Sequence, residues 1–377
     1  MSQPAVVFSG STTGFGYAVA QIGDIDNDGL GDLAISDALN GEKVYIYKGR
    51  HTWPMTLTDA QADYVISTDA SYASSLFGFS MARLGDFTGD GIDDFAIGVR
   101  SFATATGRVV IIPGKASGFA SVALPDVTKA IVIDGDSTLN RSFFGYRVLG
   151  LGHFYTVSAA TTLVVSAAGS STATAPGNAG HLYTFHGQVG TAGAIAISAA
   201  DHVLTGPGSA AHIGIVLTNL ETMLNGFPGV GVGNILDTVD IAGGQGGAYL
   251  ASGTPTSGPF ATLSIDYVSG DSTNSAVLIG GGVSGRDTKL SLIGDATPDL
   301  VLGGEGGPTL TISDGSKIGA KTSPNNVAST AEVVITLPIG WASGEGTDSI
   351  IPDINGDGVP DFCLGSSVQP GAILVYW

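Results

Sequence analysis

Residues 24–32 read Asp-Ile-Asp-Asn-Asp-Gly-Leu-Gly-Asp, and this stretch guides the interpretation of the whole sequence. Carboxylates stand at its positions 1, 3, 5 and 9, and a glycine at position 6 permits a sharp turn. Alternate carboxylates on a tight loop can direct their oxygens toward one point, and calcium takes roughly six to eight oxygen ligands in irregular geometry. The stretch therefore predicts a calcium loop with carboxylate ligands from Asp24, Asp26, Asp28 and Asp32 and the backbone carbonyl of Leu30.

The same spacing recurs twice. The three stretches are named here the Asp24 loop (24–32), the Asp86 loop (86–94) and the Asp353 loop (353–361). The later two carry threonine and asparagine at position 3, so an oxygen stands at every ligand position. We therefore expect about three calcium sites. The further predicted ligands are Asp86, Thr88, Asp90, Ile92 and Asp94 in the second loop, and Asp353, Asn355, Asp357, Val359 and Asp361 in the third, with Ile92 and Val359 acting through backbone carbonyls.

Two other interpretations of these loops were weighed. An EF-hand needs a glutamate at position 12 and flanking helices, but position 12 is Ile35 and residues 33–36 have the apolar pattern of a strand. An acidic turn without metal is the plainer alternative, since Asp, Asn and Gly favour turns in any case. Three copies, each followed by an apolar strand, favour calcium.

Composition sets the class of protein. The chain has 377 residues, of which 43% are hydrophobic and 58 are glycine, which favours short strands and many turns over long helices. Its 33 acidic and 14 basic residues give a formal net charge of −19. Nucleic acid and anionic membrane surfaces are therefore not expected partners, because both attract basic proteins.

Short strands separated by turn residues repeat along the chain as four-stranded units, which predicts an all-β fold of the β-propeller type. The predicted blades begin near residues 15, 77, 144, 213, 286 and 344, so we expect six blades in one domain spanning 1–377. The sixth blade lacks a fourth strand, and residues 5–9 form a strand with no partner nearby. Pairing of residues 5–9 with the last strand, near 373–377, would complete that blade and close the ring.

Each of the first three predicted blades begins with Phe-Gly, at Phe15-Gly16, Phe77-Gly78 and Phe144-Gly145, about ten residues before a Gly-Asp or Gly-His. This pattern resembles the FG-GAP repeat of integrin α-subunit propellers and of many bacterial surface proteins. The resemblance implies four-stranded blades with calcium in the loop between the first and second strands. Integrin propellers have seven blades, so seven is the alternative to the six counted here. The third, fourth and fifth blades depart from the loop pattern, and no calcium is assigned to them.

Three functions were considered. The first is a calcium-stabilised extracellular module for adhesion, which binds a protein or glycan through loops on one face. The second is a scaffold domain of a larger surface protein. The third, a polysaccharide-acting enzyme, is disfavoured because the notable acids belong to the calcium loops, so we expect no enzymatic activity. The arginines and aromatic residues predicted on the ligand face are Tyr72, Arg100, Phe102, Arg141, Phe143, Arg286 and Trp341.

Location follows from the same expectations. The first residues lack the basic and apolar segments of a signal peptide, and the longest uncharged stretch is too rich in Ser, Thr and Gly for a membrane span. We therefore expect a monomeric domain of a larger extracellular or cell-surface protein, without direct insertion into the membrane.

Overall fold

The computed structural model describes residues 7–152 apart from 127 and 140, together with 161–169, 180–187, 193–205 and 213–214. Between 216 and 376 it describes the backbone of the strands. The chain divides into two compact units. The first consists of Met1–Gly152, Ala160–Ala167 and Tyr183–Asp201, and the second of His153–Ala159, Ala168–Leu182 and His202–Trp377.

The fold is all-β, as predicted. In the first half of the chain the strands are β1 Val7–Ser9, β2 Phe15–Gly23, β3 Asp32–Asp37, β4 Lys43–Tyr47, β5 Thr56–Thr58, β6 Tyr64–Ser67, β7 Phe77–Gly85, β8 Asp94–Val99, β9 Arg108–Ile112, β10 Val122–Ala123, β11 Ile131–Asp134, β12 Phe144–Gly150, β13 Thr162–Ala167, β14 His181–His186, β15 Gly193–Ile195 and β16 His202–Thr205. In the second half they are β17 Val216–Leu224, β18 Phe227–Gly233, β19 Gly247–Ser252, β20 Ser264–Val268, β21 Ala276–Ile279, β22 Leu300–Gly304, β23 Thr309–Ser313, β24 Asn325–Asn326, β25 Ala331–Thr336, β26 Ser349–Ile351, β27 Asp361–Gly365 and β28 Ile373–Tyr376. Helical turns are Phe102–Ala105 and the 3₁₀ segments Asp59–Gln61, Ala70–Tyr72 and Ile197–Ala199.

The strands form a series of meanders. The sheet orders are β10-β6-β4-β3-β2, β15-β11-β9-β8-β7, β12-β13-β14-β16, β17-β18-β19-β20-β24, β21-β22-β23-β25 and β26-β27-β28, with a separate pair β1-β5. Within a meander, successive strands pair antiparallel, as β2 with β3 and β3 with β4. The predicted strands of the first three blades are confirmed, and the placement of Ile35 in β3 confirms that the Asp24 loop is not an EF-hand.

The Phe-Gly pair that begins each of the first three meanders has a defined structural role. Gly16, Gly78 and Gly145 have φ of 86°, 84° and 84°, a region that side chains other than glycine rarely enter. The register of each first strand shifts just after this pair, which is a β-bulge. The adjoining Phe77 and Phe144 are fully buried. The motif therefore combines an aromatic anchor with a bulge that only glycine accommodates easily.

Alternation along the strands distributes side chains between separate cores of the first unit. On β3, Ala34 packs into a core with Phe95 and Ile97, whereas its neighbour Ile35 packs on the other face. On β8, Phe95 and Ile97 share that core, whereas Ala96 belongs to the next one. Successive side chains point to opposite faces of a strand, so the sheets that contain β3 and β8 are buried on both sides at these strands.

A short parallel strand recurs at the edge of several sheets and was not predicted. β10 lies between the third and fourth strands of its own meander in the chain, but it pairs in parallel with β6, the fourth strand of the preceding meander. β15 pairs with β11, and β24 with β20, in the same way. Each of these edges is thus covered by a segment that the chain supplies later.

The first strand differs from its prediction. Residues 5–9 were expected to have no partner nearby, but Val7–Ser9 pairs in parallel with Thr56–Thr58 of β5. Packing explains this partner, because the Phe8 ring lies 4.8 Å from that of Tyr47 and 5.8 Å from that of Trp53.

The fourth and fifth meanders differ from the sequence pattern in different ways. The fourth begins at Val216, close to the predicted start near 213, and has β18 as its second strand. β18 was not predicted from the sequence, because its many glycines leave few apolar side chains to indicate a strand. The fifth meander begins at Ala276 and not near Arg286, because the apolar run of β21 pairs with β22. The last meander has the three predicted strands.

Among the described residues, no helix has the length and apolar character required to cross a membrane.

Candidate metal centre

The Asp24 loop connects β2 to β3, and the Asp86 loop connects β7 to β8, so both occupy the same place in successive meanders. Their backbones match. Position 6 is Gly29 in one loop and Gly91 in the other, with φ of 91° and 87°, and position 4 is also left-handed, with φ of 58° at Asn27 and 78° at Gly89. Asparagine and glycine are the residues that tolerate this conformation best. Position 4 was not singled out from the sequence, although Asn or Gly stands there in all three loops.

The carboxylate at position 1 holds each loop closed. Asp24 accepts hydrogen bonds from the backbone N–H groups of Asp28 and Gly29, at 2.9 and 2.8 Å. In the Asp86 loop, Asp86 accepts the same pair of bonds from Asp90 and Gly91, both at 2.9 Å. These bonds fold positions 1 to 6 of each loop into a tight turn.

The carboxylate at position 9 is buried beneath each loop. Asp32 is 1% exposed and accepts N–H bonds from Ile25 at 3.0 Å and Gly49 at 2.8 Å. Asp94 is fully buried and accepts N–H bonds from Phe87, Thr88 and Gly114 at 2.8, 2.7 and 2.8 Å. Burial raises the pKa of each carboxyl to about 6 despite these bonds. A buried anion of this kind calls for a cation nearby.

Position 3 carries the clearest sign of a missing ligand. Five side-chain oxygens among the described residues are buried without a hydrogen-bond partner: the hydroxyls of Thr161, Thr162 and Thr184 outside the loops, and Asp26 Oδ1 and Thr88 Oγ1 within them. Asp26 and Thr88 stand at the same position of two different loops, although one is a carboxylate and the other a hydroxyl. Buried polar atoms are nearly always satisfied. An oxygen-seeking cation in each loop would satisfy both atoms, so the donor sets fit calcium.

Three of the four acidic residues predicted as ligands in the Asp24 loop lie close together. Ligand atoms of Asp24, Asp26 and Asp28 all lie within 4.8 Å of one another. Asp32 is not part of that group and lies beneath it, bonded to backbone. Leu30 and Ile92 donate their N–H groups to Asp28 and Asp90, at 3.1 and 3.0 Å.

A lysine lies against the Asp24 loop and was missed in the sequence. Lys48, one residue after β4, places Nζ 2.6 Å from Asp26 Oδ2 and 3.0 Å from Asp28 Oδ2. The Lys48 hydrogen bond lowers the pKa of Asp28. The Tyr64 hydroxyl donates to Asp26 Oδ2 at 3.2 Å. Its position could have indicated this contact, because Lys48 directly precedes Gly49, and the N–H of Gly49 donates to Asp32 of the loop. In the second meander Gly114 donates to Asp94 in the same way, and the residue before it is Pro113.

The Asp24 and Asp86 loops are also joined directly. Asp93, at position 8 of the Asp86 loop, accepts the N–H of Asp24 at 2.9 Å and pairs with Arg83 through both of its oxygens, each at 2.9 Å. The N–H of Lys115 donates to the carbonyl of Ile25 at 2.8 Å. Asp93 was not predicted as a functional residue, because nothing in its spacing distinguishes it from a solvent-exposed acid.

The Asp353 loop cannot be compared in the same way. Asp353, Asn355, Asp357 and Val359 lie outside the described residues, and Asp361 is described only as the first residue of β27. In the third meander, Thr162 begins β13 at the position that Asp32 and Asp94 hold in theirs. This position is therefore a neutral hydroxyl in the third meander, where the first two have a carboxylate.

Five of the residues predicted for the ligand face are described, and they form two arginine–aromatic groups. Phe102 and Tyr72 flank Arg108, whose Cζ lies 3.7 and 5.5 Å from their ring centroids. Phe143 lies 5.3 Å from Arg100 and 5.4 Å from Arg141. Arg286 and Trp341 lie outside the described residues.

Comparison with known proteins places these loops in context. No family model matches the chain. Integrin alpha-7 of Mus musculus is 33% identical over 159 residues, which cover 39% of this chain and 12% of that protein. Integrin alpha-4 of Xenopus laevis is 37% identical over 87 residues (22% of this chain, 8% of that protein), and integrin alpha-PS3 of Drosophila melanogaster is 34% identical over 85 residues (22% and 8%).

These matches extend over parts of the chain, and the aligned part is about a tenth of the length of each relative. They agree with the Phe-Gly bulges and acidic loops of the first meanders. The matches to integrin α-subunits support an integrin-type FG-GAP repeat domain in this chain.

Proposed function

We propose that this chain is a calcium-stabilised extracellular module that binds a protein ligand through loops of a β-propeller. The observation that carries the calcium assignment is the group of carboxylates at Asp24, Asp26 and Asp28, whose ligand atoms lie within 4.8 Å of one another, with Asp26 Oδ1 buried and unpartnered among the described residues. Bound calcium would neutralise carboxylates that otherwise repel one another across each turn. Its role is thus structural, and no catalytic step is assigned to it.

The residues that would hold the metal are those of the sequence pattern. They are Asp24, Asp26, Asp28, Asp32 and the Leu30 carbonyl in the Asp24 loop, Asp86, Thr88, Asp90, Asp94 and the Ile92 carbonyl in the Asp86 loop, and Asp353, Asn355, Asp357, Asp361 and the Val359 carbonyl in the Asp353 loop. Support for the first two sets comes from their matching hydrogen bonds, and for the third from sequence spacing alone.

The proposed architecture is a single ring of six four-stranded blades. Support comes from the parallel edge strands. β10, β15 and β24 each pair with the fourth strand of the preceding meander. β5 holds the corresponding place in the first meander, and its partner is β1. By this analogy β1 is the fourth strand of the blade that lies before the first blade. In a closed ring, the blade before the first one is the last blade. We therefore propose that β1 pairs with β28.

The binding role rests on the relatives, whose names identify them as integrin α-subunits. An extracellular, adhesive role is proposed for this chain by that similarity. A scaffold role within a larger surface protein is the alternative. A screen of matrix proteins and glycans against the calcium-loaded chain distinguishes the two, because a scaffold would retain none of them.

The calcium proposal is tested by thermal unfolding. Removal of the metal with a chelator should lower the melting temperature, because an ion that binds only the native state stabilises it by mass action. Calcium should restore the melting temperature better than magnesium, which demands a stricter octahedral geometry. An unchanged melting curve after verified metal removal would contradict the proposal.

Titration calorimetry then assigns the sites. Asp28→Ala, Asp90→Ala and Asp357→Ala each remove the position-5 carboxylate of one loop and should each lower bound calcium by about one ion per chain. Asp136→Ala is the matched control, since Asp136 accepts bonds from Thr138 in an acidic turn outside the loops. Strong calcium uptake by the triple variant would show that the metal binds elsewhere.

Ring closure is tested by hydrogen exchange. Deletion of residues 1–10 should expose the amides of Ile373–Tyr376 to exchange if β1 covers that strand. Phe8→Ala, which weakens packing on Tyr47 and Trp53 but keeps the backbone, is the control. Unchanged protection of Ile373–Tyr376 in the truncated chain would mean that β1 is paired only with β5.

A further inference from the structure

Arg100 differs from Arg50, Arg83 and Arg108 in that its buried Nε has no hydrogen-bond acceptor among the described residues. Arg50, Arg83 and Arg108 form ion pairs with Asp63, Asp93 and Asp134. Within the described residues, Arg100 has neither an ion pair nor a hydrogen bond, and its Nε is buried without an acceptor. An arginine without an acid is unexpected in a chain with 33 acidic and only 14 basic residues.

Aromatic rings surround this guanidinium. Arg100 Cζ lies 4.4 Å from the centroid of Phe79, 5.0 Å from that of Tyr146 and 5.3 Å from that of Phe143. Ring faces attract a cation, but they accept no N–H hydrogen bond of ordinary strength. The rings therefore fix the orientation of Arg100 while leaving its buried Nε–H without an acceptor in the described part of the chain, a state that costs free energy until an acceptor arrives.

Arg108 shows what a completed arrangement looks like in the same chain. Its guanidinium also stacks on aromatic rings, with Cζ 3.7 Å from the Phe102 centroid. In addition, Nε and one terminal nitrogen of Arg108 donate to the two carboxylate oxygens of Asp134, at 2.6 and 3.0 Å. Arg100 has the aromatic support of this arrangement and lacks its carboxylate.

Neighbouring charge makes an anion more favourable still. Arg147 lies beside the same rings, with Cζ 5.6 Å from both the Phe79 and the Tyr146 centroids. Burial lowers the pKa of Arg147, and the positive charge of Arg100 acts in the same direction. A carboxylate at Arg100 would relieve the repulsion between these two cations.

The backbone at Phe143 supports a specific role for this cluster. Phe143 has a φ of 52°, a conformation that bulky residues rarely adopt, and it holds its ring against Arg100 in this conformation. Strain of this kind is often found where a side chain must be held in place for function. The first strand of the first meander adds exposed apolar surface, since Tyr17 is 37% and Val19 is 49% exposed. The Tyr17 ring centroid lies 5.4 Å from that of Phe79.

We propose that Arg100, framed by Phe79, Phe143 and Tyr146, is a binding site for the carboxylate of an aspartate or glutamate side chain on a protein partner. The proposal rests on the binding role given above. Tyrosine and arginine next to exposed apolar surface are typical of the central contacts in protein interfaces. A polyanion is a poorer fit, because the net charge of −19 repels it. A glycan is also a poorer fit, because the framing side chains are aromatic and offer few hydrogen-bonding groups.

The test uses the calcium-loaded chain and a peptide with one carboxylate, acetyl-Gly-Glu-Tyr-amide, beside its Gln counterpart. The Nε–H signal of Arg100 is followed by ¹H–¹⁵N NMR and assigned from its absence in Arg100→Gln. It should shift saturably with the Glu peptide and not with the Gln peptide. Arg100→Gln should weaken binding by about tenfold or more, since it removes a charge-assisted contact. Arg100→Lys should retain part of the affinity.

Arg50→Gln is the matched control: it removes an arginine that already has its own aspartate and should leave binding unchanged. Melting curves with and without calcium separate this proposal from the preceding one, because Arg100 belongs to no calcium loop. If Arg100→Gln fails to fold, the wild-type titration and Arg100→Lys decide the outcome. An Arg100 signal that does not respond to the Glu peptide overturns the proposal. A response to a uronic-acid oligosaccharide but not to the peptide overturns the assignment to a protein partner.

Discussion

The Asp24 loop and the Asp86 loop have the same backbone and differ in their charge. Position 3 is Asp26 in the first and Thr88 in the second, and the residue after the third strand is Lys48 in the first meander and Pro113 in the second. Lys48 places its ammonium on Asp26 and Asp28. The four ligand carboxylates of the Asp24 loop together with the Lys48 ammonium therefore have the same formal charge as the three ligand carboxylates of the Asp86 loop. The extra acid and the lysine compensate for one another, although they are distant in sequence.

This comparison shows that the position-3 oxygen and its counter-charge form one unit. A hydroxyl at Thr88 needs no cation from the protein, whereas a carboxylate at Asp26 has one. The position-9 carboxylate, in contrast, is the same in both loops and is held by backbone N–H groups in each. The following predictions test first the shared feature and then the difference.

The largest effect is expected at position 9. Asp94→Ala in calcium-free buffer leaves three backbone N–H groups without their acceptor and should cost about 2–4 kcal/mol of unfolding free energy. Asp32→Ala leaves two and should cost about 1 kcal/mol less. Urea unfolding measures both, and Asp126→Ala in an exposed turn is the control. Equal losses in all three variants would refute the structural role of position 9.

Acid should stabilise the metal-free protein at these same two residues. Asp32 and Asp94 have a folded-state pKa of about 6, above the value of about 3.9 expected for unfolded aspartate. Between about pH 4 and pH 6 the folded state therefore binds more protons than the unfolded state. The stabilisation that these two carboxyls contribute is complete below about pH 4 and is lost as the pH rises through about 6. The loss should amount to about 2–3 kcal/mol per carboxyl at most.

Calcium should act in the opposite direction, since it needs ionised ligands, and its stabilising increment should grow as the pH rises. Urea unfolding across pH 4–7, with and without calcium, measures both trends. Asp32→Asn and Asp94→Asn should flatten the metal-free profile. A metal-free protein whose stability rises over this interval would contradict the raised pKa values.

The smallest effect is expected from removing Lys48 from the Asp24 loop, or from building the Asp26–Lys48 pair into the Asp86 loop. Lys48 is partly exposed, so Lys48→Met should change metal-free stability by about 1 kcal/mol or less. It should raise the calcium affinity of the Asp24 loop several-fold, because the ammonium no longer occupies Asp26 and Asp28. Thr88→Asp should lower the metal-free stability of the other loop, and adding Pro113→Lys should restore it. Calorimetry and urea unfolding measure these changes; if Pro113→Lys restores nothing, charge compensation is not the reason for Lys48.

Much of the fold could be predicted because it depends on local pattern. The strands that follow the Asp24 and Asp86 loops have the continuous apolar run of sheets buried on both faces, and the Phe-Gly pairs mark strand starts at bulges that only glycine adopts easily. The same approach was wrong for the fifth meander, where Ala276–Ile279 was overlooked, and it missed β18 because glycine-rich strands carry little apolar signal. The parallel pairs β10-β6 and β15-β11 could not be predicted from the sequence either, since β10 has two residues and β15 has three, which is too short to show a periodic pattern.

The sequence by itself determined which residues of the Asp24 and Asp86 loops are ligand candidates, because ligand spacing on one turn is a local property of the chain. Only the tertiary structure decided what those residues meet. Lys48 reaches Asp26, and Asp93 joins one loop to the next, through contacts between residues that are far apart in sequence. The same holds for the arginines. Asp134 completes Arg108 through the pairing of β11 with β9, whereas no described carboxylate completes Arg100, whose aromatic neighbours come from the second and third meanders.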